Sequence, residues 1–315
     1  MADLTVVDLG YGWTKGRRGN HKYFQPSIIG ETRDVFEQNI DSNDLIYDDK
    51  YFVGNLALRE SDAKYFSLKD NKAETWISEI ILKTAIGLLS KSNKTNLVTG
   101  LPVKFFFTQK DDMSNVLDSL RNQNSYTIRK GRTKQFKTSC EIESYKVLPQ
   151  GYGVAMDYLL DDEGKIRNYN HAKKNILVID LGFYTLNLLS LNQMKIGKES
   201  DSYLLGVSTA YKLLQKSLHN KFGRSPAIYE MDNVVLSGQY QGYDIRSLIN
   251  KCFHTLAIQI QTEIDSLNNN YDLYIIAGGA AKFIFPHIKV PNKIELGQFA
   301  QMNGYEKVGK RQWGA

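Results

Sequence analysis

Two apolar runs in this chain end in the same three residues. "VVDLGYGWTK" carries Asp8, Leu9 and Gly10, and "VIDLGFYTLN" carries Asp180, Leu181 and Gly182. Each run reads as a buried strand that breaks at a glycine turn and resumes as a second strand. A repeat of that kind in two distant places implies two α/β halves, each opened by the same hairpin. Such a turn leaves backbone N–H groups pointing into one concavity, which suits phosphate oxygens. Gly10 and Gly12 in the first copy, and Gly182 in the second, allow close backbone approach. Lys15 supplies the charge that a β- or γ-phosphate needs. Asp8 and Asp180, facing each other across a cleft, could hold a hydrated magnesium ion, which demands oxygen ligands and keeps its waters. A single Asp-Leu-Gly after a strand is usually only a turn, so the duplication carries the reading.

The rest of the chain fits two halves. "DLIYDDKYFVGN" predicts a second hairpin, and "ETWISEIILKTAIGLLSK" places Trp76, Ile77, Ile80, Ile81, Ala85, Leu88 and Leu89 at helical spacing. "NLVTGLPV" is a buried strand that stops at Pro102. Residues 111–121 read as a helix, 125–148 as β-rich, and "GYGVAMDYLL" as an apolar helix. The polar, aperiodic stretch 161–175 is the clearest linker. Strand, turn and strand then begin again, and helices are expected at about 207–220, 225–236 and 245–266.

"LYIIAGGAAKF" is a third element, a buried strand running into glycines and a helix start. Gly278 and Gly279 there would let a flat ligand lie on bare backbone. A close helix–strand contact would ask for the same glycines.

Composition narrows the class. The chain has 315 residues, 42% apolar and 23% charged, as in an ordinary globular protein with one large or two medium domains. A net charge of +6 hints at an anionic partner, but spread over this length it does not make the chain itself a nucleic-acid binder. Cys140 and Cys252 match no metal or redox spacing and read as buried hydrophobes of a reducing cytoplasm. With no signal-peptide pattern and no membrane-length apolar run, a cytoplasmic location is expected.

At these residues the sequence resembles the actin-like ATPases, within the superfamily that also holds sugar kinases and heat-shock chaperones. "DLGYGWTK" resembles the family's first phosphate motif, at Asp8, Gly10 and Lys15. "DLGFYTLN" resembles the second, at Asp180, Gly182 and Thr185, and "AGGAAK" resembles the adenosine motif. "FQPSIIG" and "VTGLPV" are similar to family segments too. "VLPQGYGVAMDYLL" and the closing "KIELGQFAQMNGYEKVGK" resemble those of bacterial plasmid-segregation actins of the ParM type. Asn187 stands where many relatives carry an acidic residue, and Ala277 where the adenosine motif has a third glycine.

The resemblance implies an actin-like two-domain α/β fold, each half built on a mixed, ribonuclease H-like sheet with flanking helices, and nucleotide in the interdomain cleft. It implies a first domain of residues 1–172, onto which 298–315 pack back, and a second of 173–297. Asp8 and Asp180 would bind Mg2+ through water. The backbone of Gly10, Tyr11 and Gly12 with Lys15, and that of Gly182, Phe183, Tyr184 and Thr185, would cradle the phosphates of ATP or GTP. Gly278 and Gly279 would receive the nucleoside. Gln150 would position the attacking water, as a glutamine does in small GTPases; a cap at the following helix is its alternative role. The implied activity is a nucleotidase that polymerises into dynamic filaments and segregates plasmid DNA through a DNA-binding adaptor, without direct nucleic-acid or membrane binding. A monomeric sugar or small-molecule kinase, or a scaffold for position or shape, is the rival reading. A kinase needs a carboxylate aimed at an acceptor hydroxyl, and after Pro149 stands Gln150 instead.

Overall fold

The computed structural model describes residues 2–66, 76–90, 94–121, 125–132, 134–138, 141–267 and 269–314. Two compact units emerge, Met1–Tyr169 with Phe299–Ala315, and Asn170–Gln298. In the first unit, β1 (Asp3–Leu9), β2 (Trp13–Arg18), β3 (His21–Pro26), β4 (Lys94–Leu101) and β5 (Glu141–Pro149) make one sheet in the order β5-β4-β1-β2-β3. The first three strands run antiparallel, and β4 and β5 are parallel to β1. Val6, Val7, Leu97 and Val98 are wholly buried at the parallel centre, as a sheet covered on both faces requires. Helix α1 (Trp76–Leu89) covers one face through Ile81, Ala85 and Leu89, which join Val7 and Leu9 in one core. A second sheet of the same unit is built from Ile28–Glu31, Leu45–Tyr47, Tyr51–Val53, Lys64–Phe66, Tyr126–Lys130 and Lys134–Thr138.

The second unit repeats the plan. Strand β6 (Asn175–Leu181) pairs antiparallel with β7 (Leu186–Asn192), which pairs with β8 (Asp201–Tyr203). On its other side β6 runs parallel to β9 (Leu273–Gly278), and β9 to β10 (Lys293–Glu295). Helices α4 (Val207–Phe222), α5 (Met231–Ser237), α6 (Arg246–Asp265) and the short α7 (Ala281–Ile284) accompany this sheet. Leu177, Ile179 and Leu181 share a core with Tyr211, Leu214, Phe253 and Leu256.

Two local expectations are corrected. The helix expected over 225–236 is α-helical only from Met231, after a 3₁₀ turn at Ile228–Glu230. Pro226 lacks an N–H, and the Glu230 carboxylate accepts the Ala227 N–H at 2.8 Å, so the helical turn starts there. The helix expected at 111 begins at Phe106 as α2 (Phe106–Ser119), directly after a 3₁₀ turn at Val103–Phe105. Phe107 is 86% exposed, and an aromatic on the solvent face hid the period. The boundary between the two units falls inside the stretch 161–175, which carries local structure: the Asp161 carboxylate accepts the N–H groups of Glu163 and Lys165, and Tyr169–Ala172 is a short helix. Cys252 is a buried free thiol, while Cys140 lies outside the described residues. Among the described residues no helix is long and apolar enough to cross a membrane.

The closing helix α8 (Ala300–Trp313) docks against α3 (Tyr152–Leu159) within the first unit. The contact is backbone to backbone: a Cβ on Gly304 would stand 1.7 Å from the Gly153 carbonyl oxygen. Tyr305, wholly buried, fills the space that Gly100 leaves in "VTGLPV". Lys307 is buried with its ammonium on the Asp157 carboxylate at 2.7 Å and the Asp157 carbonyl at 2.8 Å. Removing one partner of such a pair strands the other charge.

Candidate functional site

In the first hairpin Asp8 lies directly opposite Lys15 across β1 and β2, so the two side chains share one face. Ser27, from "FQPSIIG", holds the turn from behind. Its hydroxyl donates to the Gly10 carbonyl at 2.6 Å, and its N–H donates to the Gly12 carbonyl at 2.9 Å. In a trans peptide the N–H points opposite to the carbonyl. The Tyr11 and Trp13 N–H groups are therefore aimed away from Ser27. Gly10 is demanded by the turn itself, because a Cβ there would meet the Trp13 carbonyl oxygen at 2.3 Å.

Gln150 directly follows β5, the strand next to β4. Its N–H donates to the Leu101 carbonyl at 2.7 Å, and its Nε2 donates to Asp8 Oδ1 at 2.6 Å. Both side chains are buried, Gln150 5% and Asp8 9% exposed, so this bond is shielded from water. The helix cap comes from elsewhere: Gln301 of α8 accepts the N–H groups of Gly151 and Val154 through Oε1, at 3.1 and 3.2 Å. Gly151, with φ of 86°, turns the chain between the two tasks.

The second hairpin is tied back in the same sense by different atoms. The first N–H groups of α4, on Val207 and Ser208, donate to the Gly182 and Phe183 carbonyls at 3.0 and 2.8 Å. By the same peptide geometry the Phe183 and Tyr184 N–H groups point away from α4. The Gly182 N–H closes the turn onto the Thr185 carbonyl at 2.8 Å, so Gly182 serves the turn's own geometry. Phe183 stacks on Tyr229 with centroids 5.3 Å apart, and the Tyr184 and Tyr229 hydroxyls are 3.3 Å apart. Burial raises the Tyr229 phenol's pKa, and its bond to Tyr184 raises it further. These contacts fix the turn to the segment before α5.

Asn187 sits opposite Asp180 across the strand pair, where Lys15 sits opposite Asp8. It is 2% exposed and its Oδ1 accepts the Ser202 hydroxyl at 2.7 Å. An acidic residue here would put a second carboxylate directly across from Asp180, a like-charge pair. The amide avoids that repulsion and still satisfies Ser202.

The two glycines after β9 differ. Gly278 has φ of +112° and a Cβ there would lie 2.1 Å from the Leu181 carbonyl oxygen. Gly279 meets only the Gln298 side chain, at 3.4 Å and beyond. The helix start that follows borders a cleft of about 290 Å³ lined by Ser237, Arg246, Asn250, Lys282 and Phe283 among others. Sequence reading missed Ser27, Tyr229 and Gln301. Ser27 and Gln301 lay inside segments already singled out, and Tyr229 carried no local signal. Among the described residues no cluster of three His, Cys, Asp or Glu side chains stands ready for a metal.

Residues 6–153 match a family model described as the N-terminal domain of actin-like proteins. Among solved structures, a non-polymerisable quadruple mutant of the pCBH ParM is 25% identical, with TM-score 0.74, covering 99% of this chain and 100% of that one. A subunit of a 15-stranded ParM filament from Clostridium botulinum is 24% identical, with TM-score 0.73 over 98% of this chain and 99% of that one. An archaeal actin homologue in complex with ADP is 19% identical, with TM-score 0.76 over the same shares. A search of curated proteins found no match.

Proposed function

We propose that this chain, an actin-like protein by its N-terminal domain and its two-domain fold, hydrolyses ATP or GTP with Mg2+ and couples hydrolysis to growth and loss of a filament of its own copies. One observation carries the reading. Both Asp-Leu-Gly turns have their carbonyls tied back, by Ser27 in one and by the start of α4 in the other, which turns N–H groups toward the opposite side. That is the arrangement a phosphate needs. The solved relatives include a filament and an ADP complex, which supports self-assembly and nucleotide binding here.

Within this proposal both hairpins serve one nucleotide. Asp8 and Asp180 offer hard oxygen donors and would hold Mg2+ through water, and the ion would neutralise charge on the phosphates. Lys15 and the two turns bind the phosphates. Gln150, its amide nitrogen fixed on Asp8, orients the attacking water through its Oε1, an acceptor. Gly278 and Gly279 receive the nucleoside. The biological task is segregation of plasmid DNA in the cytoplasm through a DNA-binding adaptor. Phosphate release with ATP and with GTP, before and after EDTA, tests the chemistry. Mg2+-dependent release with at least one nucleotide is expected, and binding of neither would end the proposal.

The two glycines separate fold from ligand. Gly278→Ala should lower stability by about 3 kcal/mol, because both its φ and the Leu181 carbonyl forbid a Cβ. Gly279→Ala should melt like the wild type yet weaken nucleotide binding by about tenfold, roughly 1.4 kcal/mol. Thermal melts and nucleotide titration check the pair, and unchanged affinity in Gly279→Ala would move the nucleoside elsewhere.

A further inference from the structure

We propose that His254 and His287 form a surface site for a divalent transition metal of the zinc, nickel or copper kind. His254 lies one turn after Asn250 on α6, and His287 follows α7. Their ring centroids are 4.9 Å apart with an interplanar angle of 67°. A metal–imidazole nitrogen bond of about 2.0–2.1 Å puts each ring centroid roughly 3.2 Å from the ion, so two imidazoles at a near-tetrahedral angle have centroids about 5 Å apart. The observed separation meets that requirement before any ion arrives.

The protonation pattern is prepared as well. Asn250 Oδ1 lies 3.0 Å from His287 Nε2. A carbonyl oxygen only accepts, so Nε2 carries the proton and Nδ1 carries the lone pair. Lys293 is the cationic side chain near enough to act on His287. The Lys293 ammonium is itself engaged, donating to the Phe285 and Ile288 carbonyls at 2.7 and 2.6 Å. Among the described residues no third histidine, cysteine or carboxylate joins the pair, so water completes the coordination. The ligand set of two imidazoles and water selects borderline ions over Mg2+ or Ca2+.

The test uses untagged full-length protein titrated calorimetrically with Zn2+ or Ni2+ alone, and with Cu2+ for spin resonance. One ion per chain is expected, with two nitrogen couplings in the copper spectrum. His254→Ala and His287→Ala should each lower affinity by about tenfold or more, and Asn250→Leu by about 10- to 100-fold through loss of the orienting bond. Melting curves confirm that the three substitutions leave the fold in place. Wild-type affinity in either histidine variant, or a single coupled nitrogen, overturns the site.

Discussion

Gln150→Ala should leave nucleotide affinity near that of the wild type and lower phosphate release by about two orders of magnitude. A group that orients water acts on the chemical step and contributes little to ground-state binding. Two bonds fix Gln150 where the proposed role needs it, one from its backbone to Leu101 and one from its amide to Asp8. It does not cap the helix that follows, because Gln301 does. Truncation removes the donor from a 9%-exposed carboxylate, so about 1–3 kcal/mol of stability should go with it. Single-turnover phosphate release beside nucleotide titration separates the two effects, and filaments of the variant should persist. Loss of affinity with unchanged chemistry would reassign Gln150 to structure.

Asp180→Ala should bring phosphate release to the detection limit while the protein still melts cooperatively. Asp180 is only partly buried at the end of β6. The hairpin register around it rests on buried apolar pairs, Leu181 with Leu186 and Ile179 with Leu188. On the proposed reading, removal of the carboxylate would deprive a hydrated Mg2+ of one anchor and leave that packing intact. A melting temperature within a few degrees of wild type is expected, about 1 kcal/mol or less. Near-normal turnover would take Asp180 out of the site.

What the sequence disclosed follows from where its signals are local. The two Asp-Leu-Gly hairpins were legible because a buried strand must be apolar and its turn must admit Gly10 and Gly182, whose added Cβ atoms would press on the carbonyls of Trp13 and Thr185. The long helices at 207 and 246 were legible from their period. The helix start at Met231 was not, since Pro226 and the Glu230–Ala227 bond shift it within a polar stretch. The closing helix gives no apolar stripe to read, because Gln301, Glu306 and Lys307 are buried polar residues satisfied by Arg17, Gly151 and Asp157, far away in sequence. The clamps behind the turns were hidden for the same reason. Ser27 and the N–H groups of Val207 and Ser208 act on glycine carbonyls that only the fold brings near. Asn187 looked like a lost charge, and its position opposite Asp180 gives it a reason.

In the proposed cycle, bound triphosphate drives copies of this chain to assemble and hydrolysis lets them part. On the proposed reading, a bound γ-phosphate would favour one conformational state of the subunit over another. Head-to-tail contacts between such subunits need not close into a ring and could propagate as a filament. Sedimentation and light scattering of the purified protein with Mg2+ and ATP, GTP, ADP or a non-hydrolysable analogue measure this directly. Polymer above a critical concentration with ATP or GTP, a signal that decays as nucleotide is spent, and filaments that persist with the analogue are the expected results. Monomer with every nucleotide at about tens of micromolar protein, where contacts of that weakness still register, would contradict the filament and leave a monomeric kinase as the leading reading.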